Sequence, residues 1–458
     1  MDQRSTPPIP PSRPEGQSFL QSWRAARRNI FAALPKRLYR AWLAEAKTPW
    51  FRSYLVNQPE LVRRILIEEP SQFPKSDLQA RVLGDLLGRS VFVTNGAEWE
   101  RQRRLIDPAF GDARPRKLFD PMLAAGQSMI DRLEAREGAV EMEFETSHAA
   151  ADVIFRTLFS APIEDSVAGE VFDAFRTYQL AAPMLTPADI LRLPGWVARF
   201  SRRRRHQRKQ ADRIRTLLAR LVTARAVEIA AGTAPDDLAT ALMTARDPET
   251  GTRFDAAEML DQVGIFFLAG HETSASALAW ALYLLATHPE VRHRVQCEAA
   301  EVFGANPAFS DLRRLAFTRD VLRETLRLYP PVPMMIREAA RATEMRGKSV
   351  APGAPVILSP WHLGRHERLW DQPHVFDPDR WQRPETKEPG RTAYLPFSAG
   401  PRVCPGAGFA MQEGVILLGL LMSRFDVSPV AGKTPQPMMH LTVRSENGIW
   451  LNIKKRRA

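Results

Sequence analysis

The sequence predicts a mainly α-helical protein with small β-sheets, an α+β fold in a single compact domain. Three observations carry this prediction. Apolar residues recur at helical spacing along most of the chain. Signals of β-structure are short and fall in two places. Pro and Gly are dense from residue 330 to residue 408, which indicates a long coil wrapped on helices.

Helices are expected wherever apolar side chains recur every three to four residues. A further apolar helix should run from Ala407 to Met422. Strands are expected at 350–359 and at the C-terminus, where 441–445 and 449–453 flank Glu446-Asn447-Gly448, a hairpin signal. The other expected helices cover 62–69, 121–136, 171–180, 197–227, 256–287 and 290–303.

The composition is that of a globular protein, with 458 residues of which 44% are hydrophobic. Residues 1–16 are rich in proline and predict a disordered tail ahead of a domain at 17–458. The start of the chain resembles neither a signal peptide nor a hydrophobic anchor. Its two cysteines do not make a disulfide framework, which favours a reducing, cytoplasmic compartment.

The net charge of +12 raises the question of an anionic partner. The densest basic run, 202–209, lies in an expected helix and has no interleaved aromatic residue. We interpret it as a solvated helix face and predict no nucleic-acid binding.

A loop of ten residues, Phe397 to Gly406, carries the strongest chemical signal. Gly400, Pro401 and Pro405 exclude a regular element around Cys404. The loop presents backbone N–H groups, and the following helix adds its positive N-terminal end. A thiolate held in this way is a metal ligand or a nucleophile.

A second signal is Ala269-Gly-His-Glu-Thr-Ser274, inside the expected helix 256–287. The Thr273 hydroxyl can bond the Ala269 carbonyl four residues back and open the helix, which makes room for water. We interpret His271 as an outward-facing or a satisfied helix histidine and not as a metal ligand.

The pattern Phe-x-x-Gly-x-Arg-x-Cys-x-Gly at 397–406 resembles the haem-binding loop of the cytochrome P450 family, and the resemblance covers roughly residues 35–455. It implies the P450 fold, a haem b cofactor and Cys404 as axial ligand of the haem iron. It also implies that Glu272 and Thr273 deliver protons during oxygen activation. The residues expected to contact haem are Trp99, Arg103, Ala269, Arg337, Phe397, Gly400, Arg402, Cys404 and Gly406.

Glu324 and Arg327 are spaced to form an ion pair on one helix face. The resemblance implies that Arg380 joins them in a buried structural cluster behind the haem. Such a cluster would hold the coil that carries Cys404.

The resemblance also implies an apolar pocket for a hydrophobic small molecule such as a lipid, a fatty acid or a terpenoid. The segment 181–196 would form a lid over its entrance. With the basic run beside it, 181–209 gives the hypothesis of peripheral contact with an anionic membrane surface. The pocket is expected to involve Leu87, Ile265, Leu268, Val332, Met335 and Met439.

The sequence shows no flavin domain and no iron–sulfur cysteine cluster. We therefore expect electrons to come from NAD(P)H through a separate ferredoxin reductase and ferredoxin. Arg101 and Arg104 are candidates for a basic docking surface.

The predicted function is haem-thiolate monooxygenation, the hydroxylation of a hydrophobic molecule with O2. Two alternatives stay open. In the first, the same haem desaturates, epoxidises or couples its substrate. In the second, the protein is a non-enzymatic haem-thiolate ligand binder. His362-x-x-x-His366 has metal-ligand spacing, but no further feature supports a metal site there. We interpret Cys297 as an incidental thiol.

Overall fold

The computed structural model describes residues 6–13, 21, 25–26, 29–47, 52–111, 114–136, 138–181, 202–304 and 307–456. Its contacts divide the chain into two compact units. The first unit lies within Met1–Pro74, Gly126–Ser147 and Thr273–Ala458, and the second unit within Lys75–Ala125 and His148–Glu272.

Helices dominate the described residues, which confirms the predicted fold class. The expected helix 256–287 has these same bounds in the structure, and the expected helix at 197–227 begins at Arg202 among the described residues. The α-helices are α1 (Pro59–Arg63), α2 (Asp77–Leu87), α3 (Gly96–Ile106), α4 (Arg114–Glu134), α5 (Met142–Phe159), α6 (Ser166–Ala181), α7 (Arg202–Ala231), α8 (Leu238–Thr244), α9 (Ala256–Thr287), α10 (Pro289–Phe303), α11 (Ala316–Leu328), α12 (Pro360–Leu363), α13 (Lys387–Thr392) and α14 (Ala407–Arg424).

The strands are short and belong to the first unit. They are β1 (Leu43–Lys47), β2 (Arg52–Val56), β3 (Ala139–Glu141), β4 (Met335–Glu338), β5 (Thr343–Met345), β6 (Lys348–Val350), β7 (Pro355–Leu358), β8 (Phe425–Pro429), β9 (Pro437–Met439), β10 (Val443–Ser445) and β11 (Trp450–Lys455). One sheet has the order β1-β2-β7-β4, in which β2 and β7 run parallel, and a second has the order β3-β11-β8. Two further pairs, β9 with β10 and β5 with β6, are antiparallel.

Two helical stretches of the first unit, in α14 and in the C-terminal half of α9, are apolar on nearly every side because they are buried on every side. In α14 every residue from Glu413 to Met422 is buried, and so is every residue of α9 from Ser274 to Ala286. Trp280 and Ser276 of α9 both donate to the carbonyl of Val443, at 3.0 and 2.6 Å, and thereby fix β10.

The predicted hairpin at the C-terminus is wrong. β10 pairs with β9, whereas β11 pairs with β8 and β3. At the turn, the backbone N–H groups donate to side chains that are distant in sequence. Glu143 accepts from Ser445 N at 2.9 Å, and Glu141 accepts from Ile449 N at 3.2 Å. The chain therefore changes sheets at Glu446-Asn447-Gly448.

Residues 6–13 differ from the expectation of a disordered tail, because they pack against the first unit. Pro7 and Pro10 are buried, and the Tyr329 hydroxyl donates to the Pro8 carbonyl at 2.8 Å. A proline-rich segment is already restricted in the unfolded chain, so docking it costs little conformational entropy.

No helix among the described residues is long and apolar enough to cross a membrane.

Candidate active site

The loop around Cys404 is fixed by its own backbone. Cys404 N donates to Phe397 O at 2.9 Å, and Val403 N donates to Gly400 O at 3.0 Å. Ser398 and Gly400 both have positive φ, 63° and 69°. The loop thus turns back on itself and leaves Cys404 exposed, without a disulfide.

Gly400 is required by a close approach as well as by its backbone conformation. A Cβ at this position would lie 2.0 Å from the carbonyl oxygen of Leu66, in the π-helical turn Arg64–Glu68. Any side chain would push the loop off this turn. The absence of a side chain at Gly400 therefore determines how closely the loop approaches this turn, and with it the position of Cys404.

The helix α14 begins directly behind the thiol. Gly406 is its N-cap, and Ala407 N donates to Cys404 O at 3.3 Å. The positive end of the helix dipole favours a negatively charged sulfur at this position. The local geometry therefore suits a sulfur ligand to a metal ion.

Arg337 lies in β4 of the same unit and is 4% exposed. Burial lowers its pKa to about 10. Among the described residues no carboxylate pairs with it. A buried guanidinium needs an anion, and Arg is suited to binding carboxylates.

The sulfur of Cys404 and the cation of Arg337 together fit a cofactor that has both a metal and carboxylates, as haem does. Arg402, two residues before Cys404, is half-buried and belongs to the same loop.

The structure brings Glu324, Arg327 and Arg380 together. Arg327 donates to both carboxylate oxygens of Glu324, at 2.7 and 2.9 Å, and Arg380 Nε donates to Oε1 at 2.9 Å. Burial is the largest single influence on Glu324 and opposes its ionisation, but the charges and hydrogen bonds of Arg327 and Arg380 and the Asp377 N–H together outweigh burial and lower the pKa of this carboxyl.

The two arginines extend this cluster into the coil. Arg327 donates to the carbonyls of Gly364 and Pro373, at 2.5 and 2.6 Å, and Arg380 to that of Asp371 at 2.8 Å. The cluster thus fixes the backbone of 364–377, a part of the coil that lacks regular hydrogen bonding of its own.

Residues Ala269 to Ser274 lie on α9, which is continuous from Ala256 to Thr287. Ala269 is exposed, Thr273 is half-buried one turn later, and Glu272 is 3% exposed. An accessible face of the helix therefore stands next to a buried acid.

His271 is 1% exposed and packs between aromatic rings of the second unit, among them Phe175. Its Nδ1 lies 2.9 Å from Phe267 O, and its Nε2 lies 3.3 Å from the Gln179 amide. Both ring nitrogens thus have protein partners.

Sequence reasoning missed Glu413, which lies on α14 nine residues after Cys404. It is fully buried; Ser274 Oγ donates to Oε2 at 2.5 Å, and Oε1 has no partner among the described residues. Burial raises the pKa of Glu413 to about 8. The one signal in the sequence was an acid interrupting the apolar run of α14.

Trp99 and Arg103 lie one turn apart on α3 of the second unit, and Arg103 Nε is 2.8 Å from Asp107. Arg101 and Arg104 on the same helix do not offer the basic docking surface expected of them. The first donates to Glu258 at 2.6 Å and the second to Asp247 at 2.6 Å. The sequence showed the cations without the acids that neutralise them.

The residues expected to line a pocket have different exposures. In the second unit Leu87, Ile265 and Leu268 are buried. In the first unit Met335 and Met439 are half-buried, and Val332 is 37% exposed.

Two histidines with metal-ligand spacing have structural partners instead. His362 lies 2.8 Å from Ser359 Oγ, and burial lowers its pKa to about 3. The ring of His366 stacks on Trp42 at 4.5 Å. Cys297 is exposed on α10, with its sulfur 3.6 Å from His293.

A family model, Cytochrome P450, matches residues 23–455. The chain belongs to the cytochrome P450 family. As a member of this family it is an oxidoreductase that incorporates oxygen, and the family implies haem iron.

Curated relatives include two proteins of Streptomyces melanosporofaciens. Cyclooctat-9-en-7-ol 5-monooxygenase is 36% identical over 86% of this chain and 84% of its own length. Cyclooctatin synthase is 32% identical over 85% and 84%. Cytokinin hydroxylase of Arabidopsis thaliana is 29% identical over 87% and 78%.

Proposed function

We propose that this cytochrome P450 hydroxylates a hydrophobic, terpenoid-like small molecule and receives electrons from a separate ferredoxin and its reductase. The observation that carries the proposal is the Cys404 loop, whose exposed sulfur stands before the N-terminus of α14 in the same unit as the buried cation of Arg337. When bound, haem supplies the oxygen chemistry that this family performs.

The residues of the chain have distinct tasks in this proposal. Cys404 holds the iron, and Arg337 and Arg402 bind the two carboxylates of the cofactor. Phe397, Gly400 and Gly406 shape the loop, whereas Trp99, Arg103 and Ala269 contact the cofactor. Glu272 and Thr273 hold and move the protons that the reaction consumes.

The substrate class follows from two kinds of support. The expected lining residues Leu87, Ile265, Leu268, Val332, Met335 and Met439 are apolar, which suits a hydrocarbon. One relative is named as a monooxygenase of cyclooctat-9-en-7-ol, an unsaturated alcohol. We therefore infer a largely hydrocarbon substrate with few polar groups.

The ferrous–carbon monoxide difference spectrum of the purified protein tests the cofactor site. We expect the strongly red-shifted Soret band of thiolate-ligated haem, and its loss in Cys404→Ser. A band typical of nitrogen-ligated haem in the wild-type protein would contradict the proposal. A Ser428→Ala variant, at an exposed position of β8, should keep the band and serves as control.

Turnover tests the electron source and the reaction. With NADPH, a surrogate ferredoxin reductase and ferredoxin, we expect hydroxylated products from terpenoid alcohols that bind with a spin-state change. No turnover with ferredoxin, but turnover with a flavodoxin, would contradict the ferredoxin assignment. Products that lack a new oxygen atom would point to desaturation or coupling.

Peripheral membrane contact through 181–209 is also a proposal, and 182–201 lie outside the described residues. Basic residues of α7 such as Arg205 and Lys209 are exposed, as an anionic surface requires. Flotation with anionic vesicles at low salt should carry the protein upward. Its absence from the vesicle fraction would refute membrane contact.

A further inference from the structure

The end of α2 is built around a carboxylate from another helix. Gly88 caps α2 with φ of 50°, and a Cβ there would lie 2.1 Å from Oδ1 of Asp261 on α9. The Asp261 side chain thus occupies the space that any other residue at 88 would need. Gly88 and Asp261 both belong to the second unit.

Side chains also form hydrogen bonds with the backbone N–H and C=O groups of the loop after α2. Arg89 N donates to Asp261 Oδ2 at 2.7 Å, and Val91 N donates to Gln262 Oε1 at 3.0 Å. From α3, the Gln102 amide donates to Arg89 O at 2.7 Å. The backbone of this loop, which has no regular secondary structure, thereby finds its hydrogen-bond partners in side chains.

A third helix closes this arrangement. Arg215 on α7 places Nη1 2.7 Å from Asp261 Oδ1 and donates to Leu86 O at 3.0 Å. The Arg215 side chain is 26% exposed and that of Asp261 is 12% exposed, so water screens the pair only in part. The sequence showed Arg215 as one more cation of a basic helix, without its acid.

We propose that Arg215 and Asp261 form a latch that positions residues 86–91, and that its opening controls the entry of the hydrophobic substrate. This inference rests on the proposed function, in which Leu87 lines the pocket. Because one guanidinium binds both α9 and the end of α2, a movement of α7 away from them must break both contacts at once. Asp261 is then left partly buried, with the Arg89 amide as its remaining hydrogen-bond donor among the described residues, and the loop loosens.

Hydrogen–deuterium exchange measures the latch directly, whether or not haem is bound. In Arg215→Ala we expect exchange at the amides of Arg89 and Val91 to rise on the order of tenfold, with the Cys404 loop unchanged. Arg213→Ala, an exposed arginine on the same helix, should change neither. Asp261→Asn keeps an acceptor for Arg89 N and should give a smaller rise.

The association rate of 1-dodecylimidazole, followed by stopped flow at the Soret band, measures entry. We expect Arg215→Ala to bind this probe several-fold faster than the wild type. High salt should speed binding to the wild type and have little effect on Arg215→Ala, because salt screens the same ion pair. Equal unfolding free energies of the two proteins would show that global destabilisation is not the cause.

Unchanged amide exchange in Arg215→Ala would overturn the proposal. So would faster exchange with an unchanged association rate, because the contact would then be structural alone. Failure of the proposed function has a different signature, the absence of the thiolate-type carbon monoxide band in the wild type. The two failures are therefore distinguishable.

Discussion

Glu324 and Glu413 are the same residue type in the same unit, and neither has any exposed surface. Their ionisation is nevertheless opposite. The pKa of Glu324 is held below its usual value, whereas burial raises the pKa of Glu413 to about 8. Burial alone therefore does not decide whether a carboxyl in this protein is charged.

The difference lies in the partners. Glu324 accepts hydrogen bonds from Arg327, from Arg380 and from the backbone N–H of Asp377. Glu413 has the hydroxyl of Ser274 and, among the residues that the structure describes, no cation. A buried carboxylate is stable where charged donors replace its hydration, and elsewhere it keeps its proton.

The largest expected effect comes from removing one cation of the cluster. Arg327→Leu leaves the carboxylate of Glu324 with one arginine and frees the carbonyls that Arg327 binds. We expect a loss of about 3–5 kcal/mol in the free energy of unfolding, since breaking a buried ion pair leaves an uncompensated charge. Denaturant unfolding measures it.

Arg319→Leu, an exposed arginine on the same helix α11, is the control and should cost less than about 0.5 kcal/mol. If Arg327→Leu does not fold, Arg380→Lys retains the charge and should give a smaller loss. Losses as small as that of the control would contradict the role assigned to the cluster.

The second prediction applies one substitution to both glutamates. Glu324→Gln should destabilise by several kcal/mol, because two buried arginines lose their anion. Glu413→Gln should cost less than about 1 kcal/mol at pH 7, because the wild-type side chain is already neutral there. Equal losses at pH 7 would show that the two carboxyls do not differ in charge.

The third prediction concerns pH. The folded-state pKa of Glu413 is raised from 4.5 to about 8. Its protonated form therefore contributes stability that is complete below pH 4.5 and is lost as the pH rises through about 8. As the pH rises from 5 to 9, the unfolding free energy of the wild type should therefore fall relative to that of Glu413→Gln. A difference independent of pH would refute the assignment.

A small effect is also expected at Ser274, whose hydrogen bond to Glu413 works against burial and lowers the pKa of Glu413. Ser274→Ala should raise this pKa further and cost about 1 kcal/mol, the usual contribution of one hydrogen bond. The infrared carbonyl band of the protonated acid, followed against pH, measures the shift. The same band must be missing in Glu413→Gln.

The contrast between the two glutamates also shows what a sequence reveals. Glu324 and Arg327 were predicted to pair from their spacing of three, and a family resemblance added Arg380. Nothing comparable marked Glu413, because its partner Ser274 lies 139 positions away in sequence. Apolar periodicity is a property of neighbouring residues. It therefore predicted the bounds of α9, but it could not predict a contact between residues far apart in sequence.

The errors have a common physical origin. The hairpin after Ser445 and the docking role of Arg101 were both inferred from neighbours in sequence. Distant residues decided the outcome, Glu141 and Glu143 in one case and Glu258 in the other. Helix type and extent depend on local pattern, whereas strand pairing and surface charge depend on the whole fold.

The approach of Gly400 to the Leu66 carbonyl has a consequence for protein engineering. In a mutant library that randomises 397–406, every variant with a side chain at 400 would have a distorted loop, since a Cβ there meets the backbone carbonyl of Leu66. Val403 is 38% exposed, so part of its side chain already faces solvent. Diversity placed at Val403 can alter the surface around the thiol while the loop keeps its shape.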